Sequence, residues 1–157
     1  MKTMKRIVAG LLVLAMMLTA VGCGAEQTVT LSADLSQQAG MGMTDTMTLT
    51  AKGDTLQQLK EVMVIDLSDY DDDTKDLLIS TLNESYVVPA EGIDGVTCKD
   101  TTTDSSYTIE LTIDCTNSDA VKSAADAGII AIDGNAGRLS FKTTQEGLES
   151  SGYTVVE

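Results

Sequence analysis

The chain has 157 residues, with 24 acidic and ten basic side chains, no histidine, no tryptophan and a formal net charge of −14. This acidity repels nucleic-acid phosphates, and one phenylalanine and four tyrosines offer few rings on which bases could stack. A nucleic-acid partner is therefore excluded. Because the chain has no histidine, nucleophiles that depend on a histidine base are excluded as well.

The N-terminal segment has the pattern of a lipoprotein export signal. A basic start (residues 2–6) precedes an uninterrupted apolar run (7–21), which is followed by Gly22 and Cys23. This junction resembles a lipobox, with Ala20 where leucine is usual. We therefore predict cleavage between Gly22 and Cys23 and attachment of lipid to Cys23. The alternative is a retained membrane span, but the apolar run is shorter than the roughly 20 residues that a span needs.

These features divide the chain into a signal peptide (residues 1–22), a short lipid-anchored tether (23–27) and one domain (28–157). Cleavage would leave seven of the ten basic residues with all 24 acids, a net charge of −17. The tether is too short for a stalk, so we expect the domain to lie close to the extracytoplasmic face of the cell membrane.

Alternating apolar residues predict three strands in the first half of the domain. The alternation runs over residues 28–35 and 43–51, and a turn at 52–54 leads into a third strand at 56–67. The third strand is apolar at consecutive positions over residues 62–65, which predicts burial on both of its faces.

Three consecutive aspartates, Asp71–Asp73, predict the start of a helix, where carboxylates complement the helix dipole and cap free N–H groups. A calcium loop over residues 69–80 is not supported, because the sixth and twelfth positions are Thr74 and Ser80 rather than glycine and glutamate. We predict no metal site and no cofactor. The apolar face expected to contact the sheet is Leu77, Leu78, Thr81, Leu82, Ser85 and Tyr86.

Pro89 and the segment 91–95 end this helix, and a second hairpin follows. Its predicted strands are residues 95–102 and 107–115, and a short helix capped by Asn117 or Ser118 comes next, with apolar positions at Val121, Ala124 and Ala125. Residues 64–68 resemble residues 112–116, since both segments close a hairpin and open a helix. The predicted fold is α+β: one antiparallel sheet built from two ββα-like units, with two or three short helices on one face.

The two cysteines of the domain lie on the strands of the second hairpin. Cys98 and Cys115 alternate with apolar residues, which favours two buried free thiols in the core. The predicted register of this hairpin places Cys98 opposite residues 109–111, away from Cys115. A disulfide between them is the alternative for an exported domain.

The C-terminal part carries a predicted turn at residues 133–137. Its aspartate, asparagine and glycines are the residues that any tight turn needs, so they favour an ordinary turn over a cation site. Thr143 and Glu146 have the spacing of a capping box and predict a helix that starts there and ends near Ser151. A final strand is predicted over residues 153–156.

Several short motifs are spread over residues 28–157: Ala51-Lys52-Gly53-Asp54, the helix after Asp71, Gly95-Val96, Ile113-Asp114, and Leu148 with Gly152-Tyr153 and Val155. Together they resemble the YehR-like lipoproteins, a group of small bacterial lipoproteins of unknown function. The resemblance implies an α+β lipoprotein domain, and it adds no activity because none of these motifs is catalytic.

We therefore expect a binding or partner-interaction module, anchored to the membrane through Cys23, that takes an unknown envelope protein or small ligand. The alternative is a structural or envelope-maintenance lipoprotein without a ligand. An enzyme is not expected, because 24 dispersed acids do not identify a catalytic pair and the sequence contains neither a G-x-S-x-G motif nor a P-loop.

Overall fold

The computed structural model describes residues 24–132 and 138–156, so the turn at residues 133–137 lies outside the described residues. Six antiparallel strands form one sheet within the described part. The strands are β1 (Glu26–Asp34), β2 (Met43–Lys52), β3 (Thr55–Asp66), β4 (Val96–Thr102), β5 (Ser106–Asp114) and β6 (Thr154–Val155). Their spatial order is β4-β5-β3-β2-β1-β6, which places β3 and β2 at the centre.

Helices connect the strands. They are α1 (Ser36–Ala39), α2 (Asp72–Leu82), α3 (Val88–Ala90), α4 (Ser118–Asp126) and α5 (Phe141–Ser150), and a π turn (Asn83–Val87) joins α2 to α3. None of the described helices is both long enough and apolar enough to cross a membrane.

The predicted α+β fold is confirmed. Two hairpins are each followed by a helix, giving the units β2-β3-α2 and β4-β5-α4, and pairing between β3 and β5 joins them into one sheet. Cys98 lies opposite Leu111, as the predicted register requires. Strand β1 extends this sheet on one side, and the short β6 pairs with it.

All the described helices that contribute to the apolar core pack against the same face of the sheet. One part of this core lies between the middle of the sheet and helices α4 and α5. Its fully buried members include Leu31, Leu49, Leu56, Ile113 and Val121. The other part lies under α2 and includes Met63, Ile65, Leu67, Tyr107 and Ile109. The helical layer therefore covers one face only.

The opposite face of the sheet is polar. Hydroxyl groups pair across β1 and β2, with the oxygens of Thr30 and Thr48 3.2 Å apart and those of Ser32 and Thr46 also 3.2 Å apart. The prediction that residues 62–65 are buried on both faces is wrong. Val62 and Val64 point to this polar face, are half-buried by their strand neighbours, and belong to neither part of the core.

The likeness between residues 64–68 and 112–116 corresponds to a repeated turn. Asp66 ends β3 and Asp114 ends β5, and each accepts a hydrogen bond from the backbone N–H two residues later at 2.9 Å. Asp34 ends β1 with the same 2.9 Å bond, so the turn occurs three times. Hydrogen bonds from these following residues lower the pKa of all three aspartates; the residues are Ser36, Ser68 and Thr116.

Gly95 shows why α4 lies so close to β4. Its φ of 82° favours glycine, and a Cβ at this position would lie 2.8 Å from the Cβ of Ala120. The small residues predicted on this helix allow that contact, and Ala120, Val121 and Ala124 are buried. Ala125, predicted on the same face, is only half-buried.

Asp71 caps α2 as predicted, because its side chain accepts a hydrogen bond from the N–H of Thr74 at 2.8 Å. The predicted apolar face is wrong at Leu77, whose exposed fraction is 67%, and at Thr81 and Ser85, which are also exposed. Ile79 takes the place of Leu77 beside Leu78 and Leu82 in the core. The helix is thus rotated slightly from the predicted orientation, so that the consecutive pair facing the core is Leu78 and Ile79 rather than Leu77 and Leu78.

The capping box predicted at Thr143 is wrong. Helix α5 begins three residues earlier, with Ser140 as its cap, and the Ser140 hydroxyl accepts a hydrogen bond from the N–H of Thr143 at 3.1 Å. The Ser140 hydroxyl also donates to Asp54 at 2.8 Å, and Asp54 accepts from the N–H of Lys142 at 2.9 Å. A contact with the distant β2–β3 turn therefore sets where the helix starts.

Candidate functional site

Two carboxyl groups lie on the core face of the sheet, where apolar side chains are expected. On β2, Asp45 alternates with Met47 and Leu49 and so lies on the same face of the sheet as they do. On β3, Glu61 lies on that face with Leu59 and Met63. Asp45 has an exposed fraction of 2% and is the one buried charged residue in the described part of the chain. A buried carboxyl group is costly unless its oxygens are hydrogen-bonded.

Strand register brings the two carboxyl groups together. Asp45 lies opposite Met63 and Glu61 lies opposite Met47, so the two acids are diagonal neighbours across the β2–β3 pair. Their side chains are within hydrogen-bonding reach of each other. Two carboxyl groups can form such a bond only when one of them is protonated, and burial together with the nearby second acid favours one proton on the pair.

Tyr153 supplies a polar contact to Asp45 from outside the β2–β3 pair. Its phenol donates a hydrogen bond to Oδ2 of Asp45 at 2.5 Å, and this contact joins the segment before β6 to the centre of the sheet. No fixed donor among the described residues reaches Oδ1 of Asp45. A proton on Glu61 is the donor that the neighbourhood can offer to this carboxylate.

The protonation states follow from burial and from these contacts. Burial raises the pKa of Glu61 to about 7, and the charge and hydrogen bond of Asp45 add to the effect. Burial also raises the pKa of Asp45, but hydrogen bonds from Tyr153 and from the backbone of Thr46 stabilise its charged form. We therefore assign the shared proton to Glu61 and the negative charge to Asp45.

Glu61 also faces a narrow apolar cleft with room for about one water molecule, which we call the Glu61 cleft. Its walls come from β3, β4, β5, the π turn and the segment after α4. The lining residues are Glu61, Met63, Tyr86, Cys98, Ile109, Leu111 and Ile129. The carboxyl group of Glu61 is thus the one charged group on an otherwise apolar and aromatic wall.

The π turn positions Tyr86 at this cleft. Proline at position 89 has no N–H to donate, and in a regular helix its ring would clash with the carbonyl of residue 85. The wider turn over Asn83–Val87 relieves that conflict, and α3 continues through Pro89 to Ala90 before the chain leaves the helix. Tyr86, which was predicted to face the core, is therefore 37% exposed and lines the cleft.

Both cysteines of the domain are free thiols, and the disulfide alternative is not realised in the structure. Cys115 is buried as predicted, but Cys98 is half-buried because it lines the Glu61 cleft. Burial raises the pKa of Cys115 to about 11, and burial together with Asp100 and Glu61 raises the pKa of Cys98. Neither thiol is therefore activated as a nucleophile.

The sequence-predicted sites and the structural site are different. Gly22 and Cys23, the predicted cleavage junction and lipid attachment residue, lie outside the described residues. Sequence reasoning did not select Asp45 or Glu61 from the acids. A usable signal is present, since each acid interrupts an alternating apolar series at a position where the parity predicts burial.

A family model described as "Protein of unknown function (DUF1307)" matches residues 27–154, which is most of the chain. The chain belongs to the DUF1307 family. A search of the curated proteins found no match. The family description names no activity, so any function must be argued from the site.

Solved structures support the fold of this DUF1307 member. The NMR structure of E. coli YehR is similar, with a TM-score of 0.65, 21% sequence identity, and coverage of 85% of this chain and 92% of YehR. An NMR structure of a protein from Streptococcus pneumoniae TIGR4 has a TM-score of 0.55 and 16% identity, covering 99% of this chain and 98% of that one. The resemblance to a YehR-like family of unknown function is confirmed, and at these identities the two structures inform the fold alone.

Proposed function

We propose that the protein is a lipid-anchored binding module of the cell envelope, and that a ligand or partner group binds over the mouth of the Glu61 cleft. The observation that carries this proposal is an ionisable carboxyl group at an apolar cleft on the core face of a central strand. Leucine or methionine at this position would suit the fold better, because removing a carboxyl group from water costs free energy. A group that weakens the fold and faces a cleft is typical of a functional site.

Binding is favoured over catalysis by the geometry of the carboxyl pair. Paired carboxyl groups that hydrolyse glycosides stand about 5 Å or more apart on either side of the bond that is cleaved. Asp45 and Glu61 instead lie side by side as diagonal neighbours on adjacent strands, and Asp45 is buried and held by Tyr153. A substrate or an attacking water therefore has access to Glu61 but not to Asp45.

The envelope location rests on the N-terminal sequence. The basic start, the short apolar run and the Gly22-Cys23 junction have the order that signal peptidase recognition requires. Described structure begins at Gly24, and β1 starts at Glu26, so lipid on Cys23 would hold the sheet beside the membrane. A structural lipoprotein without a ligand, which is the alternative, gives no reason for the carboxyl group at the cleft.

Native mass spectrometry of the protein purified from its own membranes tests the proposal. Cys98→Phe places a ring in the cleft, and Thr97→Phe places the same ring on the polar face of the same strand as a matched control. Wild type and Thr97→Phe should carry a bound molecule or a stoichiometric partner that Cys98→Phe lacks. Equal occupancy in the two variants, or none in wild type, would contradict the proposal, and circular dichroism should show that both variants fold.

A further inference from the structure

We propose that a strap near the C-terminus is a reversible cover on the edge of the sheet, and that the buried charge of Asp45 sets how readily the strap opens. The strap comprises residues 152–156, which follow α5 and run along the outer edge of β1. It contains the short strand β6. Its opening is a property of the fold and requires no ligand at the Glu61 cleft.

Backbone contacts hold the strap to the sheet only weakly. Strand β6 pairs with β1 through two residues on each strand. The N–H of Val156 adds one hydrogen bond to the carbonyl of Thr30, at 2.9 Å. Val155 is 41% exposed, so β6 itself buries little apolar area. Segments with so few buried contacts are the ones that open without unfolding of the whole domain.

Gly152 provides a hinge at the start of the strap. Its φ of 97° lies in the left-handed region that favours glycine. Apart from its chain neighbours, no described atom lies within 4 Å of the place where a Cβ would stand. Rotation at this residue can therefore carry residues 153–156 away from β1 while α5 stays in place.

The phenol of Tyr153 anchors the strap in the interior. It donates a hydrogen bond to Oδ2 of Asp45 at 2.5 Å, and Asp45 has an exposed fraction of 2%. Oδ1 of the same carboxylate is buried without a fixed donor among the described residues. The closed strap thus keeps a carboxylate away from water with one fixed side-chain donor, although each of its oxygens can accept two hydrogen bonds.

The bond and the burial have opposite effects on the strap. The hydrogen bond from Tyr153 favours the closed state. Hydration of Asp45 favours the open state, because moving Tyr153 away gives water a path to the carboxylate. Burial raises the pKa of Asp45, in agreement with a closed state that penalises its charge. A neutral side chain at this position would leave the strap closed more of the time.

Opening lengthens the free edge of the sheet. The strap covers β1 at residues 30–32, and in the described part of the chain no strand pairs with the outer edge at residues 26–29. The unpaired N–H and C=O groups of an edge strand are where another extended segment can pair. The closed strap therefore shortens this exposed edge, and the open state presents most of β1.

Hydrogen exchange of the full-length protein at pH 6 tests the proposal, read at the amide of Val156. Glu61, the diagonal neighbour of Asp45, keeps its proton at this pH because its pKa is about 7. Asp45→Asn removes the buried charge and keeps an oxygen for Tyr153, so Val156 should exchange at least about 3-fold more slowly than in wild type. Tyr153→Phe should make Val156 exchange at least about 10-fold faster.

Glu110→Gln is the control variant, because it removes a charge on the polar face of β5, beside Lys60, and should leave the exchange of Val156 unchanged. The amide of Leu67, bonded to the carbonyl of Ser105 at 2.8 Å, reports whether each variant is folded. Simple fraying of the last strand would make Val156 indifferent to the charge at residue 45. Equal or faster exchange in Asp45→Asn therefore overturns the proposal, and so does an unchanged rate in Tyr153→Phe. Loss of Leu67 protection in Asp45→Asn overturns it as well, since Asp45 would then be needed for folding rather than for opening.

Discussion

Tyr153, Asp45 and Glu61 form a line of neighbouring polar groups from the C-terminal segment to the cleft, and Tyr153 donates a hydrogen bond to Asp45. Tyr153 fixes the charged form of Asp45, and the charge of Asp45 in turn favours the protonated form of Glu61. Burial and the hydrogen bond to Asp45 raise the pKa of Tyr153, so its phenol remains a donor over the whole range in which the two acids titrate. The two carboxyl groups therefore titrate as a pair, with Tyr153 as a fixed donor.

Glu61→Gln should change how stability depends on pH. The pKa of Glu61 is about 7 in the folded protein against an ordinary value of 4.5, so the folded state binds this proton more tightly. The free energy of unfolding should therefore fall as pH rises from about 4.5 to about 7. Glutamine has no proton to lose, so the variant should be more stable than wild type at pH 8, by about 1 to 3 kcal/mol. Thermal unfolding at a series of pH values measures the difference.

Five exposed aspartates with lowered pKa act in the opposite direction, but only below their ordinary value of 3.8, so they do not mask this effect. Glu110→Gln, on the polar face, should leave the pH profile above that value unchanged. Parallel profiles for wild type and Glu61→Gln between about pH 4.5 and 7 would show that Glu61 titrates normally.

Tyr153→Phe should destabilise the fold by about 1 to 3 kcal/mol, because it removes the phenol donor from the buried Asp45 carboxylate. The loss should shrink at low pH, where Asp45 can take up a proton of its own, since burial raises its pKa. Urea unfolding at two pH values measures both effects. Tyr86→Phe is the matched control, and an equal loss in both variants would show that the Asp45 bond contributes little.

At the scale of the elements, three strands end in the same way. β1, β3 and β5 each finish on an aspartate that accepts hydrogen bonds from the residue two positions later, and a helix follows each turn. The bonded aspartate is a stable link between a strand and the turn that leaves the sheet. Its recurrence explains how short local motifs produce the βα connections of this fold.

The α2 helix offers a direct comparison of two leucines, one on its core side and one on its exposed side. Leu82 packs into the core beneath α2, whereas Leu77 on the same helix is exposed. Leu82→Ala should cost about 2 kcal/mol, toward the lower end for leucine because the side chain is only half-buried. Leu77→Ala should change stability by less than about 0.5 kcal/mol. Equal losses in urea unfolding would show that the helix is oriented as the sequence alone predicted.

Local signals predicted the elements well, and long-range contacts account for what they missed. The strands, the Asp71 cap and the register of the second hairpin follow from alternation and turn chemistry over a few residues. The start of α5 depends on Asp54, which is distant in sequence, and the placement of Tyr86 depends on how a helix accommodates Pro89. The carboxyl pair could be recognised only from the β2–β3 register, because nothing in the sequence alone distinguishes these two acids as a pair among the 24.

At the scale of the whole molecule, the negative charge of the domain and the predicted lipid tether have opposite effects on attachment to the membrane. A domain with many more acids than bases is repelled by anionic lipid headgroups, so electrostatics alone would not keep it at a membrane. Two or more acyl chains give stable anchoring where a single chain is marginal. Lipid on Cys23 would therefore supply the attachment that the surface of the domain opposes.

Cys23→Ser should abolish acylation and leave either an unprocessed precursor or a protein released from the membrane. Metabolic labelling with a palmitate analogue should mark the wild type and not the variant, and fractionation should move the variant away from the envelope. Cys98→Ser is the matched control, since it removes a thiol within the folded domain and should leave the label in place. Label that persists in Cys23→Ser would place the lipid elsewhere. Loss of label without loss of membrane association would show that the domain holds to the envelope through a partner, and the Glu61 cleft would then be the first surface to block.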